Sequence, residues 1–151
     1  MPEVATDRFT VGVFQDAAWA TRAVEALGRH NFPAEALSVI AKATPETEAF
    51  VTATFGAADR MDIKNLGATI VRGSLIAALE GSARDLGALG LGATMNRVGF
   101  QMHDSFIFET LTARGGVLVA IRGEVRAADA LAILHAYGGG NAAIGAWTGR
   151  V

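Results

Sequence analysis

The fold is decided by Val117-Leu-Val-Ala-Ile121 and the Arg126-Ala-Ala-Asp-Ala-Leu-Ala-Ile-Leu134 that follows it, because this apolar pattern occurs twice in the chain. Near the other end, Thr10-Val-Gly-Val-Phe14 precedes Asp16-Ala-Ala-Trp-Ala-Thr-Arg-Ala-Val-Glu-Ala-Leu27 in the same order. An offset of 107 positions aligns the two copies. It pairs Phe14 with Ile121, Ala20 with Ala127, Val24 with Leu131, and Leu27 with Leu134.

The first copy has the pattern of a strand, an amphipathic helix and a second strand. Asp16 is a candidate N-cap, since its carboxylate can accept hydrogen bonds from the free amides of the first helical turn. Apolar residues then recur at helical spacing. Gly28 and the segment Asn31-Phe-Pro33 end the helix, because the residue before a proline avoids helical geometry. Leu37-Ser-Val-Ile-Ala41 is the second predicted strand.

The second copy ends in the same way, with Gly138-Gly-Gly140 after its helix and a final strand over 141–147. Strand–helix–strand crossovers are right-handed in nearly all proteins. Interleaving the two units predicts an α+β fold, a ferredoxin-like four-stranded sheet with helices on one face. We interpret residues 1–151 as a single domain. It comprises a βαβ unit at 9–42, a mainly helical, glycine-rich insertion at 43–114, and a second βαβ unit at 115–147.

The insertion has a weaker pattern than the two units. Thr44-Pro-Glu-Thr-Glu48 indicates a turn or a helix start, and 50–55 fits either a strand or a helix. The segment 63–82 is strongly apolar, with good helix formers from Ile76 to Glu80. Charged residues interrupt it, and its apolar run is shorter than the roughly 20 residues that cross a bilayer. We therefore interpret it as a buried or interface-forming helix, with membrane contact as the less favoured alternative.

Glycines and other small residues are frequent in the insertion. The glycines at positions 87, 90, 92 and 99 are predicted to break any regular structure. Gly67, Gly73-Ser74, Ala77-Ala78 and Gly81 recur at near-helical spacing and would allow another helix to approach closely. Such a face predicts packing on the sheet or against a second copy of the chain.

The segment just before the second unit has the densest group of chemically capable side chains. His103, Asp104 and Glu109 are the candidate ligands of a metal or members of an acid–base pair. However, His103 and Glu109 are six residues apart, which places them on different faces of a helix. We therefore favour a structural interpretation, with Asp104 or Ser105 capping a helix that ends at Gly115-Gly116. Phe106 and Phe108 are then predicted to pack.

The remaining candidate residues also have structural interpretations. His30 and His135 lie near helix ends, where a protonated imidazole interacts favourably with the helix dipole. Trp19 and Trp147 are predicted core or interface anchors. Neither dinucleotide-binding nor phosphate-loop glycine motifs occur, and the zinc-protease and serine-hydrolase motifs are also absent from the sequence.

Composition narrows the possible functions further. The 151 residues carry a net charge of −2 without a basic patch, which disfavours nucleic-acid binding. There is no cysteine, so disulfides and thiolate sites are excluded. The first residues do not resemble a secretory signal, which predicts a cytoplasmic location. Half of the residues are hydrophobic, 51%, more than one sheet face needs, so we expect a homo-oligomer.

The two units resemble a family of bacterial general stress proteins, some of them described as heat- or low-temperature-induced. The resemblance is carried by Val11-Gly-Val-Phe14, Ala23-Val-Glu-Ala-Leu27, Phe32-Pro-Ala-Glu35 with Ser38-Val-Ile40, and Arg114-Gly-Gly-Val-Leu-Val119. It covers residues 9–42 and 114–137 and implies two such arms around a glycine-rich apolar middle. This chain departs from the family pattern in its middle, which carries more charged and polar residues.

These observations favour a non-enzymatic module, stress-related or structural, that acts by self-association or by binding a protein partner, and they predict no cofactor. The alternative is a small-molecule or metal-binding domain, or an enzyme whose site lies at a subunit interface.

Overall fold

The computed structural model describes residues 9–123, 126–138 and 144–146. The elements in these ranges are β1 (Phe9–Phe14), α1 (Ala17–Arg29), β2 (Leu37–Lys42), α2 (Pro45–Phe55), β3 (Asp59–Ile63), β4 (Gly67–Arg72), α3 (Ser74–Glu80), α4 (Leu86–Leu89), α5 (Leu91–Val98), α6 (Met102–Ala113), β5 (Val117–Arg122), α7 (Ala127–Gly138) and β6 (Ile144–Ala146). A single 3₁₀ turn, Ala34–Ala36, leads into β2.

The strands form one sheet in the order β3-β4-β2-β5-β1-β6, and every neighbouring pair is antiparallel. Strand β5 lies between β1 and β2, with Val119 opposite both Gly12 and Val39. Therefore β1 and β2 run in the same direction without touching, and the two predicted units interleave in a single sheet. The fold is a mixed α/β fold with an antiparallel sheet.

Hairpin β3–β4 extends the sheet beyond β2, so the six-strand order differs from the four-strand arrangement predicted from the sequence. The insertion is helical over most of its length, but its sequence pattern did not indicate this hairpin. Asn65, at φ 73°, sits in the turn between the strands, a backbone conformation that asparagine tolerates. The apolar stretch 63–82 is accordingly a strand and a helix rather than one helix. Gly67 lies in β4, so the small residues do not line a single helix face.

Helices cover both faces of the sheet, which corrects the prediction that they cover one. Val39 and Val119 belong to one core, under α1, α2 and α7. Ile40 and Leu118 belong to a second core, under α3, α4, α5 and α6. The reason is visible in β2 and β5, where consecutive residues such as Val39 and Ile40, or Leu118 and Val119, are apolar, so each face of these central strands requires a cover.

Three helix ends agree with the sequence patterns. The Trp19 amide donates to Asp16 Oδ1 at 2.9 Å, so Asp16 is the N-cap of α1. Thr44 and Thr47 form a reciprocal capping box at the start of α2, which makes 50–55 part of a helix. At the end of α6, the amide of Gly116 donates to Leu111 O at 2.9 Å, as expected for a glycine-terminated helix.

The start of α6 differs from the prediction. The helix begins at Met102 after the N-cap residue Gln101, so Asp104 and Ser105 lie inside the helix and neither is its cap. Instead, Ser105 Oγ donates to Gln101 O at 2.9 Å, the back-bond that serine commonly forms with the carbonyl four residues earlier.

Two glycines expected to break structure lie within helices, Gly87 in α4 and Gly92 in α5. Their role is close packing: a Cβ added at Gly87 would lie 2.6 Å from Asp62 O, and one at Gly92 would lie 3.3 Å from Ser105 O. Gly90 and Gly99 do end helices, at φ 97° and 124°. None of the helices in the described ranges is long and apolar enough to span a bilayer.

Arg97 joins the ends of three helices on the second face of the sheet. Its Nη2 donates to Leu79 O at 2.7 Å and to Asp85 Oδ1 at 2.8 Å, and its Nη1 donates to Asp85 Oδ2 at 3.1 Å. This bidentate hydrogen-bonded pair lowers the pKa of the Asp85 carboxyl below its ordinary value and raises the pKa of Arg97.

We predict a pH-dependent contribution of Asp85 to stability. Because its pKa is lower in the folded state, the carboxylate stabilises the fold above its unfolded pKa, and that contribution is lost as the pH falls through the folded value. Asp85→Asn should therefore be less stable than the wild type at neutral pH and equally stable in acid. Urea unfolding of both proteins across this range measures the difference, and a constant difference at all pH values would contradict the assignment.

Candidate functional site

The structure does not assemble the candidate ligands into a metal site. His103 is exposed on α6, while Asp104 and Glu109 are partly buried on the same helix. Within the part of the chain that the structure describes, no three histidine, aspartate or glutamate side chains come close enough to hold a metal ion together.

Glu109 instead lies against the glycines at the start of α5. A Cβ added at Gly90 would lie 3.1 Å from Glu109 Oε2, and one at Gly92 would lie 3.1 Å from Oε1. The two glycines thus leave room for the carboxylate beside the N-terminus of α5, where the helix dipole favours a negative charge. The Glu109 carboxylate thus lies between α6 and the start of α5, a position that the sequence did not indicate.

The other singled-out residues have local partners. His30 Nδ1 lies 2.8 Å from Ala26 O at the end of α1, and His135 is exposed on α7. The partly buried Trp19 packs against the first core, and the guanidinium of Arg22 lies 4.7 Å from its ring centroid. Trp147 and the glycines at 139 and 140 lie outside the described residues.

An exposed apolar surface on α4 and α6 is the first candidate for function. It consists of Leu89, Met102 and Phe106, which are 43%, 72% and 65% exposed. These are the exposed large hydrophobic side chains of the described ranges. Met102 and Phe106 are four residues apart and therefore neighbours on one face of α6. We call this set the α4–α6 surface.

The opposite side of α6 fixes the direction in which this surface faces. Phe108 is 1% exposed and meets Phe100 edge to face, with ring centroids 6.1 Å apart and planes at 89°. Two positions along a helix are about 200° of rotation apart. Phe106 and Phe108 therefore cannot share one core, and the prediction that both pack is wrong for Phe106.

We group Leu89 with this ridge because the residue that follows it, Gly90, lies beside the Glu109 carboxylate of α6. Glu109 is three residues from Phe106 and therefore next to it on the helix. The α4–α6 surface is thus the apolar ridge of α6 together with the exposed Leu89 at the end of α4. The sequence signal for this surface is helical spacing. Met102 and Phe106 are four residues apart on one row of α6, whereas the buried residues of the helix, Ser105, Phe108 and Thr112, follow another row.

A groove between α1 and α2, on the other face of the sheet, is the second candidate. Its apolar part is a cavity of about 370 Å³, lined among others by Val24, Gly28, Phe32, Leu37 and Phe50. A cavity of about 500 Å³ shares Ala34, Leu37 and Thr54 with it and is lined further by Glu35, Phe55, Asp59, Arg72 and Gly73. The groove is thus apolar at one end and charged at the other.

The chain matches none of the family models, the curated proteins or the solved structures with which it was compared.

Proposed function

We propose that this protein is a non-enzymatic module that acts by self-association, with a second copy of the chain covering the α4–α6 surface. The observation that carries the proposal is the exposure of Met102 and Phe106, 72% and 65%, on one face of a helix whose other face is locked into the core. Large apolar side chains that are exposed together mark interaction sites more often than scattered ones do.

The size of the surface suits the centre of a dimer interface. Leu89, Met102 and Phe106 together expose roughly 350 Å² if a fully exposed side chain of this size presents about 200 Å². A stable interface buries about 800 Å² on each partner and has an apolar centre surrounded by a polar rim. The polar side chains beside the ridge, such as Gln101 and His103, are exposed and can supply part of that rim.

Two-fold symmetry makes the ridge complementary to itself. In an antiparallel pairing of two α6 helices, Met102 of one copy packs against Phe106 of the other, and the reverse contact follows from the symmetry. A thioether against an aromatic ring is a favourable contact, and methionine adapts to an imperfect fit.

Further parts of the proposal rest on other features. We regard the contiguous strands β2-β5-β1-β6 as a ferredoxin-like core to which the hairpin β3–β4 has been added. The resemblance of the two units to general stress proteins supports a stress-related role, which we place in the cytoplasm.

The test of self-association is the mass of the protein at increasing concentration. Phe106→Glu places a charge in the centre of the ridge, so we expect the dissociation constant of the dimer to rise by at least about 100-fold, since a buried unpaired charge costs several kcal/mol. Sedimentation equilibrium should show wild-type dimers at micromolar concentration and Phe106→Glu at the monomer mass, 15.7 kDa.

Ala18→Glu is the matched control, since Ala18 is an exposed position on α1, on the other face of the sheet. It adds the same charge and should leave the dimer intact. A wild type that stays monomeric at these concentrations would refute self-association, and equal weakening by both variants would refute the assignment to α6.

A further inference from the structure

We propose that the groove between α1 and α2 binds a small amphiphilic cation, an alkyl- or arylammonium compound. Its apolar portion would lie on Phe32, Leu37 and Phe50, and its ammonium group would lie near Glu35. This site is separate from the α4–α6 surface, because α1 and α2 cover the opposite face of the sheet.

The apolar end of the groove has the size and floor of a ligand site. Its volume of about 370 Å³ falls within the range of small-molecule pockets, which is about 300–1,000 Å³. The floor is made of side chains that belong to the first core, since Leu37, Phe50 and Phe32 are only 3%, 6% and 9% exposed. A ligand would therefore meet a preformed apolar surface.

Gly28 keeps this end of the groove open. It lies within α1, and a Cβ added there would meet no atom within 4 Å. Nothing in the packing of the described residues therefore requires a glycine at this position, although glycine in a helix costs roughly 0.5–1 kcal/mol relative to alanine. A side chain larger than alanine at position 28 would extend from the wall of the groove.

The charged side chains that line the groove determine which sign of charge a ligand should carry. Glu25 lines the apolar cavity, and Glu35, Asp59 and Arg72 line the adjoining one. Arg72 Nη1 is 3.2 Å from Asp59 Oδ2, so these two side chains compensate each other. Among the described residues Glu25 and Glu35 form no ion pair. Glu25 has Arg22 and Arg29 three and four residues away on α1, which compensate its charge. The guanidinium of Arg126 lies 4.1 Å from the ring centroid of Phe32 and pairs with Asp129. Glu35 is therefore the carboxylate of the groove that no neighbouring cation compensates.

An ammonium group complements this charge, whereas a carboxylate would be repelled. The partly buried ring of Phe55 lines the same cavity as Glu35 and offers an aromatic surface of the kind that attracts cations. Neutral amphiphiles should therefore bind more weakly than cations, and amphiphilic anions should bind most weakly.

The experiment compares octylammonium, octanoate and octanol, each below its aggregation concentration, by NMR chemical-shift titration of the full chain. We expect octylammonium to perturb the amides of α1, α2 and the segment 32–37, octanol to bind more weakly, and octanoate to bind most weakly of the three. Absence of octylammonium binding, or octanoate binding of equal strength, would overturn the proposal.

Two variants locate the site. Gly28→Trp should fill the apolar end and weaken octylammonium binding at least about tenfold, through the loss of buried apolar area. Glu35→Gln should weaken it about two- to fivefold, the range of a solvent-exposed ion pair. Glu46→Gln, an exposed acid of α2 outside the groove, is the control and should bind like the wild type.

The result is independent of self-association. Phe106→Glu should bind octylammonium like the wild type, so a failure of one proposal is distinguishable from a failure of the other. Unfolding curves of Gly28→Trp show whether this variant is folded. If it is not folded, the octylammonium affinity of Glu35→Gln alone tests the assignment to this groove. Octylammonium affinity unchanged in Glu35→Gln and in a folded Gly28→Trp would overturn the assignment to this groove.

Discussion

Gly73→Ala is expected to lose about 3 kcal/mol or more of the free energy of unfolding, because it combines a backbone clash with an unfavourable φ. Gly73 lies between β4 and α3 at φ 106°. A Cβ at this position would overlap Ser38 Oγ and would lie 2.5 Å from Leu37 O. Both belong to the central strand β2, which has little freedom to move.

The close approach of Gly73 to β2 also has a structural purpose. Ser38 Oγ accepts a hydrogen bond from the amide of Leu75 at 3.0 Å, so a buried side chain of β2 satisfies an amide in the first turn of α3. An alanine at position 73 would push the two apart and leave that amide without its partner, which adds to the cost.

Gly56→Ala is the matched control for this variant. Gly56 also has a positive φ, 83°, but a Cβ there would meet no atom within 4 Å. Gly56→Ala should therefore lower the free energy of unfolding by only about 1 kcal/mol, which is the cost of the unfavourable φ without a clash. Urea unfolding of both variants separates the two contributions, and similar losses would show that Gly73 is not tightly packed on β2.

Phe108→Ala is expected to destabilise the monomer by about 3–5 kcal/mol, the usual cost of removing a buried aromatic ring. Phe108 is 1% exposed in the second core and contacts Phe100. Phe106→Ala, two positions away, removes the same side chain from a site that is 65% exposed. It should change monomer stability by no more than about 0.5 kcal/mol.

This pair separates folding from association when unfolding is measured at protein concentrations too low for dimers. Phe106→Ala should then weaken the dimer with little effect on the monomer, and Phe108→Ala should weaken the monomer itself. Equal losses of monomer stability in the two variants would mean that Phe106 belongs to the core and that the α4–α6 surface is misassigned.

The two units could be predicted from the sequence because their signals are local. The N-cap Asp16 and the regular apolar spacing after it define α1, and apolar runs define β1, β2 and β5. The strands of both units also share one sheet, as the repeat predicts.

The hairpin and the second helical layer could not be predicted because they depend on contacts distant in sequence. Gly73, which separates β4 from α3 within 63–82, packs closely against β2, and position 92 of α5 has little room for a side chain because Ser105 and Glu109 pack there. The orientation of Phe106 likewise follows from the core that buries Phe108. For the same reason neither the α4–α6 surface nor the groove was recognised from the residues alone.

The most direct test of self-association through α6 is a distance between two labels. The chain has no cysteine, so His103→Cys, on the exposed side of α6, can carry a single nitroxide. Packed helices lie about 8–10 Å apart axis to axis, so electron–electron dipolar spectroscopy should give a short, narrow distance between the labels of the two copies. Ala18→Cys, on the opposite face, should give a longer one. A short distance from Ala18→Cys alone, or no dipolar coupling from His103→Cys at concentrations where dimers are expected, would contradict self-association through α6.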